Sequence, residues 1–349
     1  MNRKRVTRAR RIIAIVLSAS ALLGAATLPA SAQWTRVDQV PVANIYNVWT
    51  NGDTIAAASD STAFVSINAG ATWTTTAKIA AGVTIVQALR LHNGRLYAGT
   101  YGQGVFVSSN MGATWQSFSQ GLAGGVNNSH LFTLDMLLRG DTLYDATAGA
   151  GVWIRNLATA GSWSHYGNAL EPAQAGTVEG VAVSTNRLLA AGGGNGTVYY
   201  RDDGQSDWTE SLLENDRIAA GLAPVAAIWT GHSWLVGTNI GAFHSALGQS
   251  PWTFIDFGLH PTFFMSFALH GGTVFTHFAN GEGTGIEFSK DDGLNWHVLD
   301  SLPLTFTYNI AAAGNVLYAA RVDGLWRRPI DVLPAVRSMS WGSLKSLYK

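Results

Sequence analysis

From residue 33 onward the chain repeats one arrangement of apolar and polar positions. In residues 83–122 an apolar, β-rich run from Val83 to Leu91 meets the turn His92, Asn93, Gly94. A second run, Arg95 to Gly99, follows, then a third, Gly104 to Ser108, and an outer one that starts at Trp115 and reaches Phe118. The order recurs in Asp141 to Tyr144 with Gly151 to Ile154, in Asn186 to Leu189 with Gly196 to Tyr199, and in Asn315 to Tyr318 with Gly324 to Trp326. Short β-rich runs at even spacing, divided by Gly, Asn and Asp turns, predict an all-β array. No window after the first 32 residues carries a 3.6-residue period, so no helices are expected.

Two markers give the period. Trp73, Trp115, Trp163, Trp208, Trp252 and Trp296 are spaced by 42, 48, 45, 44 and 44 residues. Gly104, Gly151, Gly196, Gly241, Gly285 and Gly324, each opening a strand, are spaced by 47, 45, 45, 44 and 39. Four strands in about 44 residues is the size of a propeller blade. Complete units fall near 44–80, 83–122, 128–170, 176–214, 220–259 and 262–302, whereas 304–333 has three strands and no outer one. Trp34 to Val37 reads as the missing strand. The expected fold is therefore an all-β, seven-bladed β-propeller of four-stranded antiparallel blades, its last blade closed by the N-terminal strand. The Gly-rich loops at 147–151, 192–197 and 278–285 read as turns rather than phosphate cradles, because no helix follows them.

Residues 1–32 differ in kind. Arg3, Lys4, Arg5, Arg8, Arg10 and Arg11 precede an apolar stretch from Ile12 to Leu28, and Ala30, Ser31, Ala32 give a small-x-small cleavage pattern. This reads as a cleaved signal peptide, with a propeller over 33–333 and a C-terminal tail over 334–349. The expected location is secreted, periplasmic or cell-surface, with no membrane span after cleavage. Loss of the six basic residues leaves 16 Lys and Arg against 22 Asp and Glu, a net charge near −6. That balance argues against a nucleic-acid partner. The chain has no cysteine, which excludes disulfides, thiolate metal sites and a Cys nucleophile.

Three turns share a finer pattern: Ser66, Asn68, Gly70, Thr72, Trp73; then Ser108, Asn110, Gly112, Thr114, Trp115; then Ser289, Asp291, Gly293, Asn295, Trp296. Asp202, Gly204 and Trp208 repeat it with one extra residue. These resemble the Asp box, S/T-x-D-x-G-x-T-W, of the BNR-repeat, sialidase-like propellers, a group that also includes photosystem-assembly-factor-like and sortilin-like members. The resemblance implies a structural box on the hairpin between third and fourth strands, away from the central face. The physics agrees: an Asp or Asn side chain accepts hydrogen bonds from its own turn, and Gly adopts a backbone others resist. The Trp ring is expected to pack on the turn with its N–H satisfied at the rim. Calcium-loop spacing is echoed, but the closing bidentate Glu is missing, so no metal is assigned.

Catalysis is the weaker expectation. The resemblance implies an arginine triad in sialidases, yet Arg90, Arg95, Arg139 and Arg187 fall beside first-to-second strand turns, on the face opposite the usual site. A two-carboxylate glycoside hydrolase, sialidase-like or xyloglucanase-like, is the alternative, with Glu171, Glu179, Glu214, Asp216, Asp256, Glu282 and Asp323 as candidate acids. The histidines show no metal-ligand spacing, and no cofactor is implied. The expected function is a secreted, non-catalytic, monomeric propeller that binds a glycan or a protein segment at its central face. Its candidate ligand-contacting residues are Tyr101, Gln103, Asn128, His130, Asn195, His260, Glu282 and Arg321, whose rings and neutral polar groups suit such contact.

Overall fold

A computed structural model describes residues 33–122, 126–167, 177–192, 196–213, 221–255, 263–280, 283–301, 305–330 and 333. The described chain forms seven four-stranded antiparallel sheets. Blade 1 comprises Asn47–Asn51, Thr54–Ala58, Ala63–Ser66 and Thr74–Thr75, and blade 2 Val86–His92, Arg95–Thr100, Gly104–Ser108 and Gln116–Ser117. Blade 3 comprises Thr133–Arg139, Thr142–Thr147, Gly151–Asn156 and Ser164–His165, and blade 4 Val178–Val183, Arg187–Gly192, Thr197–Asp202 and Thr209–Leu212. Blade 5 comprises Pro224–Trp229, Trp234–Thr238, Ala242–Ser245 and Thr253–Ile255, and blade 6 Phe263–His270, Thr273–Asn280, Gly283–Ser289 and His297–Ser301. Blade 7 takes Thr307–Ala313, Val316–Arg321 and Gly324–Pro329 from the end of the chain and Thr35–Arg36 from its start.

Each blade runs from an inner strand to an outer one, and inner strands of successive blades touch around a closed ring, blade 7 against blade 1 included. The second strands are buried on both faces because each is sandwiched between neighbouring sheets, so they read as continuous apolar runs. Their side chains are small where the blades converge on the axis: Ala56, Ala57 and Ala58, Ala190 and Ala191, Ala319 and Ala320. The outer strands Thr74–Thr75 and Gln116–Ser117 are exposed. Between sheets lie separate apolar clusters, such as Phe275, Ile286, Phe288, Leu317 and Ala319 between blades 6 and 7.

Three of the four turns share one set of hydrogen bonds. Gly70 N–H donates to Ser66 Oγ (2.9 Å), Thr72 N–H to Asn68 Oδ1 (2.9 Å), and Asn68 Nδ2 to Thr72 Oγ1 (2.8 Å). The turn at Ser108 repeats this set, and the turn at Ser289 keeps it with Asp291 and Asn295. The box glycine meets two demands together. Gly112 has φ +89°, and a Cβ there would lie 2.2 Å from the Thr76 methyl of the preceding blade. The indoles divide: Trp296 Nε1–H donates to Gly293 O (2.7 Å), whereas Trp73 and Trp115 Nε1 are buried without a partner. In the fourth turn Gly204 holds φ +84°, but Asp202 leaves its own turn for a bidentate pair with Arg187 (2.6 and 2.8 Å). The guanidinium outcompetes the backbone N–H groups for that carboxylate because it is charged and forked.

One short 3-10 turn, Val126–Leu131, departs from the helix-free expectation. The tail over 334–349 lies outside the described residues, as does the leader.

Candidate functional site

A channel of about 560 Å³ runs along the ring axis, walled by the inner strands of all seven blades. That volume falls in the range of ligand pockets, roughly 300–1,000 Å³. Its lining follows from a repeated irregularity. The ladder between first and second strands slips by one residue near the start of the inner strand in blades 2 to 7, and outside blade 6, where the slip spans Phe264 to Phe267, a single extra residue is defined. A bulge of this kind turns the extra side chain out of the sheet. The extra residues are Gln87, Leu134, Glu179, Val225 and Tyr308, and every one lines the channel. Tyr46, between buried Ile45 and Asn47 in blade 1, takes the corresponding place. Six side chains thus form a collar at one height, near the end where the inner strands begin.

The residue after the bulge serves another purpose. Asp135 Oδ2 accepts from Val181 N–H (3.2 Å), Ser266 Oγ from Ile310 N–H (3.0 Å), and Asn309 Oδ1 from Val48 N–H (3.0 Å). In each case a small polar side chain of one blade ties down the inner-strand backbone of the next. These bonds hold the collar in register.

The collar is chemically lopsided. At the seam of blades 7 and 1, the rings of Tyr46 and Tyr308 lie 5.0 Å apart, and Phe306 packs edge-on against Tyr308 at 5.0 Å. Phe306 is 38% exposed. Tyr46 Oη donates to Asp60 Oδ1 (3.0 Å). Burial and that carboxylate push the Tyr46 phenol up to about 12, and burial beside Asp60 raises Tyr308. In a ring of seven, the blade opposite this seam is blade 4, and its collar residue is Glu179. Glu179 is exposed to the channel, but desolvation by the surrounding wall raises its carboxyl.

Lower in the channel Arg90 meets Asp135 at 3.0 Å. Burial pushes the Asp135 carboxyl up, while Arg90 and the N–H groups of Val181 and Met136 draw it back. Behind this pair Asp145 is fully buried, and burial lifts its carboxyl well above the usual range.

Among the expected ligand contacts, Tyr101 is 45% exposed with its ring edge-on to Phe132 at 4.8 Å. Gln103 is exposed in the same loop, Asn128 is exposed at φ +57°, and His130 packs on Trp153 at 4.8 Å. These four belong to blade 2–3 loops and do not line the channel. Arg321 is fully buried, with Asp323 at 2.9 Å and Thr305 as partners, so it braces blade 7 rather than facing a ligand. Asn195, His260 and Glu282 lie outside the described residues, as do Glu171, Glu214, Asp216 and Asp256. Of the candidate acids, Glu179 lines the channel and Asp323 is held by Arg321. Arg90 departs from its expected place: it sits in the inner strand and faces the channel, not the opposite turn. Tyr46, Tyr308, Phe306 and Asp60 were absent from the sequence-based set. A signal for them exists, since Ile45-Tyr46-Asn47, Val86-Gln87-Ala88, Val178-Glu179-Gly180 and Thr307-Tyr308-Asn309 recur once per blade with a variable middle residue between restrained flanks.

Among the described residues no helix is long and apolar enough to cross a membrane. No family model matches the chain, and no curated protein matches it. Solved structures do. YCF48 bound to D1 peptide is 15% identical with a TM-score of 0.65, over 88% of this chain and 98% of that one. The extracellular domain of BT4673 from B. thetaiotaomicron is 15% identical with a TM-score of 0.65, over 85% of this chain and 40% of that one. PorZ, a bacterial surface component of the type-IX secretion system of Porphyromonas gingivalis, is 14% identical with a TM-score of 0.60, over 88% of this chain and 40% of that one. Likeness at this level of identity carries architecture, and the chain is a β-propeller of the kind found in all three.

Proposed function

We propose that the chain is an exported, non-catalytic, monomeric Asp-box propeller that holds a protein segment at the mouth of its central channel. The observation that carries this reading is the collar: six side chains around one open channel, five of them turned inward by matching irregularities, with an aromatic wall at the blade 7–1 seam. A rigid ring that presents rings and hydrogen-bonding groups around a cavity suits recognition. Two-carboxylate hydrolysis needs a second acid free to work across the cleft from Glu179. Among the described residues lining the channel the other acid is Asp135, which is bound by Arg90 and two backbone N–H groups. The likeness to YCF48, whose structure holds a D1 peptide, supports a protein segment over a glycan as ligand.

The test is panning of a random linear peptide library against residues 33–349, beside the Y46A/Y308A variant, with a glycan array run in parallel. Peptides enriched on the parent and lost on the variant are expected. No enrichment on the parent, or enrichment that the double substitution leaves intact, would overturn the reading. Glycan capture lost in the same variant would replace the protein segment with a sugar.

A further inference from the structure

Resting on that reading, we infer that the channel mouth selects a cationic side chain, an ammonium or guanidinium carried by the bound segment, between the Tyr46/Tyr308 wall and Glu179.

Three observations converge on this chemistry. The first is the aromatic wall. Ring faces carry negative potential, so an ammonium seated against Tyr or Phe is attracted, more strongly once desolvated. Tyr46 and Tyr308 are tilted 50° to one another at 5.0 Å, with Phe306 at 74° to Tyr308. This leaves a corner rather than a flat stack.

The second is the distribution of charge. Among the described residues lining the channel, the cation is Arg90, and Asp135 neutralises it at 3.0 Å. Glu179 has no such partner among them, and Asp60 stands behind the tyrosines with one oxygen taking the Tyr46 hydroxyl. Among the described residues the unbalanced charge at the mouth is therefore negative, on Glu179 on one side and Asp60 on the other. An acidic ligand would have to approach two carboxylates, whereas a cation relieves the desolvation that burdens Glu179.

The third is placement. Glu179 and Tyr308 occupy the same position in their inner strands, and blade 4 lies opposite the blade 7–1 seam in a ring of seven. A straight cationic side chain entering along the axis thus meets rings on one wall and a carboxylate on the other. A neutral or acidic side chain of the same length gains from one wall at most.

The experiment uses the 33–349 protein labelled with 3-fluorotyrosine, with the Tyr46 and Tyr308 resonances assigned from Y46F and Y308F. The probes are n-butylammonium, its neutral counterpart 1-pentanol and the anion pentanoate. The expected result is saturable shifts of both resonances with n-butylammonium, at least about fivefold weaker with 1-pentanol and absent with pentanoate. Binding should weaken further as salt rises from ~0.05 to ~0.5 M. E179Q should weaken the amine at least about fivefold while its melting temperature stays near the parent's. If E179Q does not fold, D60N carries the same comparison. Equal response to amine and alcohol, no response to the amine, or amine binding indifferent to both substitutions would overturn the inference. Peptide capture that persists without lysine or arginine enrichment overturns it too, and leaves the binding reading standing.

Discussion

At the scale of single residues, two buried groups set opposite limits on the pH range of the fold. Glu287 is 5% exposed in blade 6, and desolvation lifts its carboxyl to about 8. His277 is 1% exposed on the neighbouring strand, and burial lowers it to about 4, with the Thr307 backbone opposing weakly. As pH rises from 4.5 towards 8, the unfolded chain releases the Glu287 proton that the fold retains, so stability falls through that window. As pH drops from 6.5 towards 4, the unfolded chain takes up a His277 proton that the fold refuses, so stability falls in that direction as well. Replacement of Glu287 by Gln removes the first slope. Between pH 5 and pH 8 the parent should lose on the order of 4 kcal/mol that E287Q keeps, at about 1.4 kcal/mol per unit. Urea unfolding at the two pH values reads the difference directly. Equal losses in parent and variant would show that Glu287 is ionised and paired in the fold. Nothing in the sequence distinguishes Glu287 from a surface carboxylate, because the strand alternation that would expose it is cancelled when both faces of a blade are covered.

At the scale of the strand and turn, the blade-to-blade bonds carry the argument. Asp135 accepts the Val181 N–H and also neutralises Arg90, while Asn309 accepts the Val48 N–H. D135A strands a guanidinium in the channel wall and should cost about 3–5 kcal/mol. N309A loses one neutral hydrogen bond and should cost about 1–2 kcal/mol. Chemical denaturation of the two variants should keep that order, and a reversed order would mean that Arg90 finds solvent without Asp135. A box glycine is a third case: G112A places a methyl against Thr76 at a left-handed backbone and should cost about 2 kcal/mol or more. At this scale the hairpins were legible, since Asn93-Gly94 and the strand-opening Gly104 mark turns that few other residues can make. The bulges were not. One extra residue leaves the apolar count of an inner strand unchanged, so Val83 to Leu91 read as a plain buried strand while Gln87 was in fact turned into the channel. The aromatic wall stayed hidden for the same reason, and because Tyr46 and Tyr308 become neighbours only when the ring closes.

For the whole molecule the decisive element is two residues long. Thr35 pairs with Arg327 and Arg36 with Trp326, and Val37 N–H donates to Leu325 O at 2.8 Å. Arg36 Nε–H reaches the Asp323 carbonyl at 3.2 Å, and Val37 and Val40 are buried in the cluster shared by blades 7 and 1. This closure was readable from the sequence because a 44-residue period makes a missing fourth strand conspicuous, and Trp34 to Val37 is what remains unassigned. Its energetic weight is larger than its length. Two buried valines contribute about 1.5–3 kcal/mol each, and the ladder bonds about 1 kcal/mol each. Against a net stability of roughly 5–15 kcal/mol this is a large fraction. Removal of residues 33–40 also uncovers the edge of Gly324–Pro329, an unpaired strand open to other chains. The truncated protein should therefore melt at least about 10 °C lower and aggregate on heating. A milder variant, V37D, leaves the strand in place but buries a charge in the seam; it should lower the melting temperature while the protein stays monomeric by light scattering. If both variants melt with the parent, the ring is held by its inner-strand contacts and the closing strand is ornamental. If the truncation alone is weakened, strand pairing rather than burial of the Val37 side chain fastens blade 7 to blade 1, and the tyrosine wall at that seam inherits its rigidity from the ladder on Gly324–Pro329.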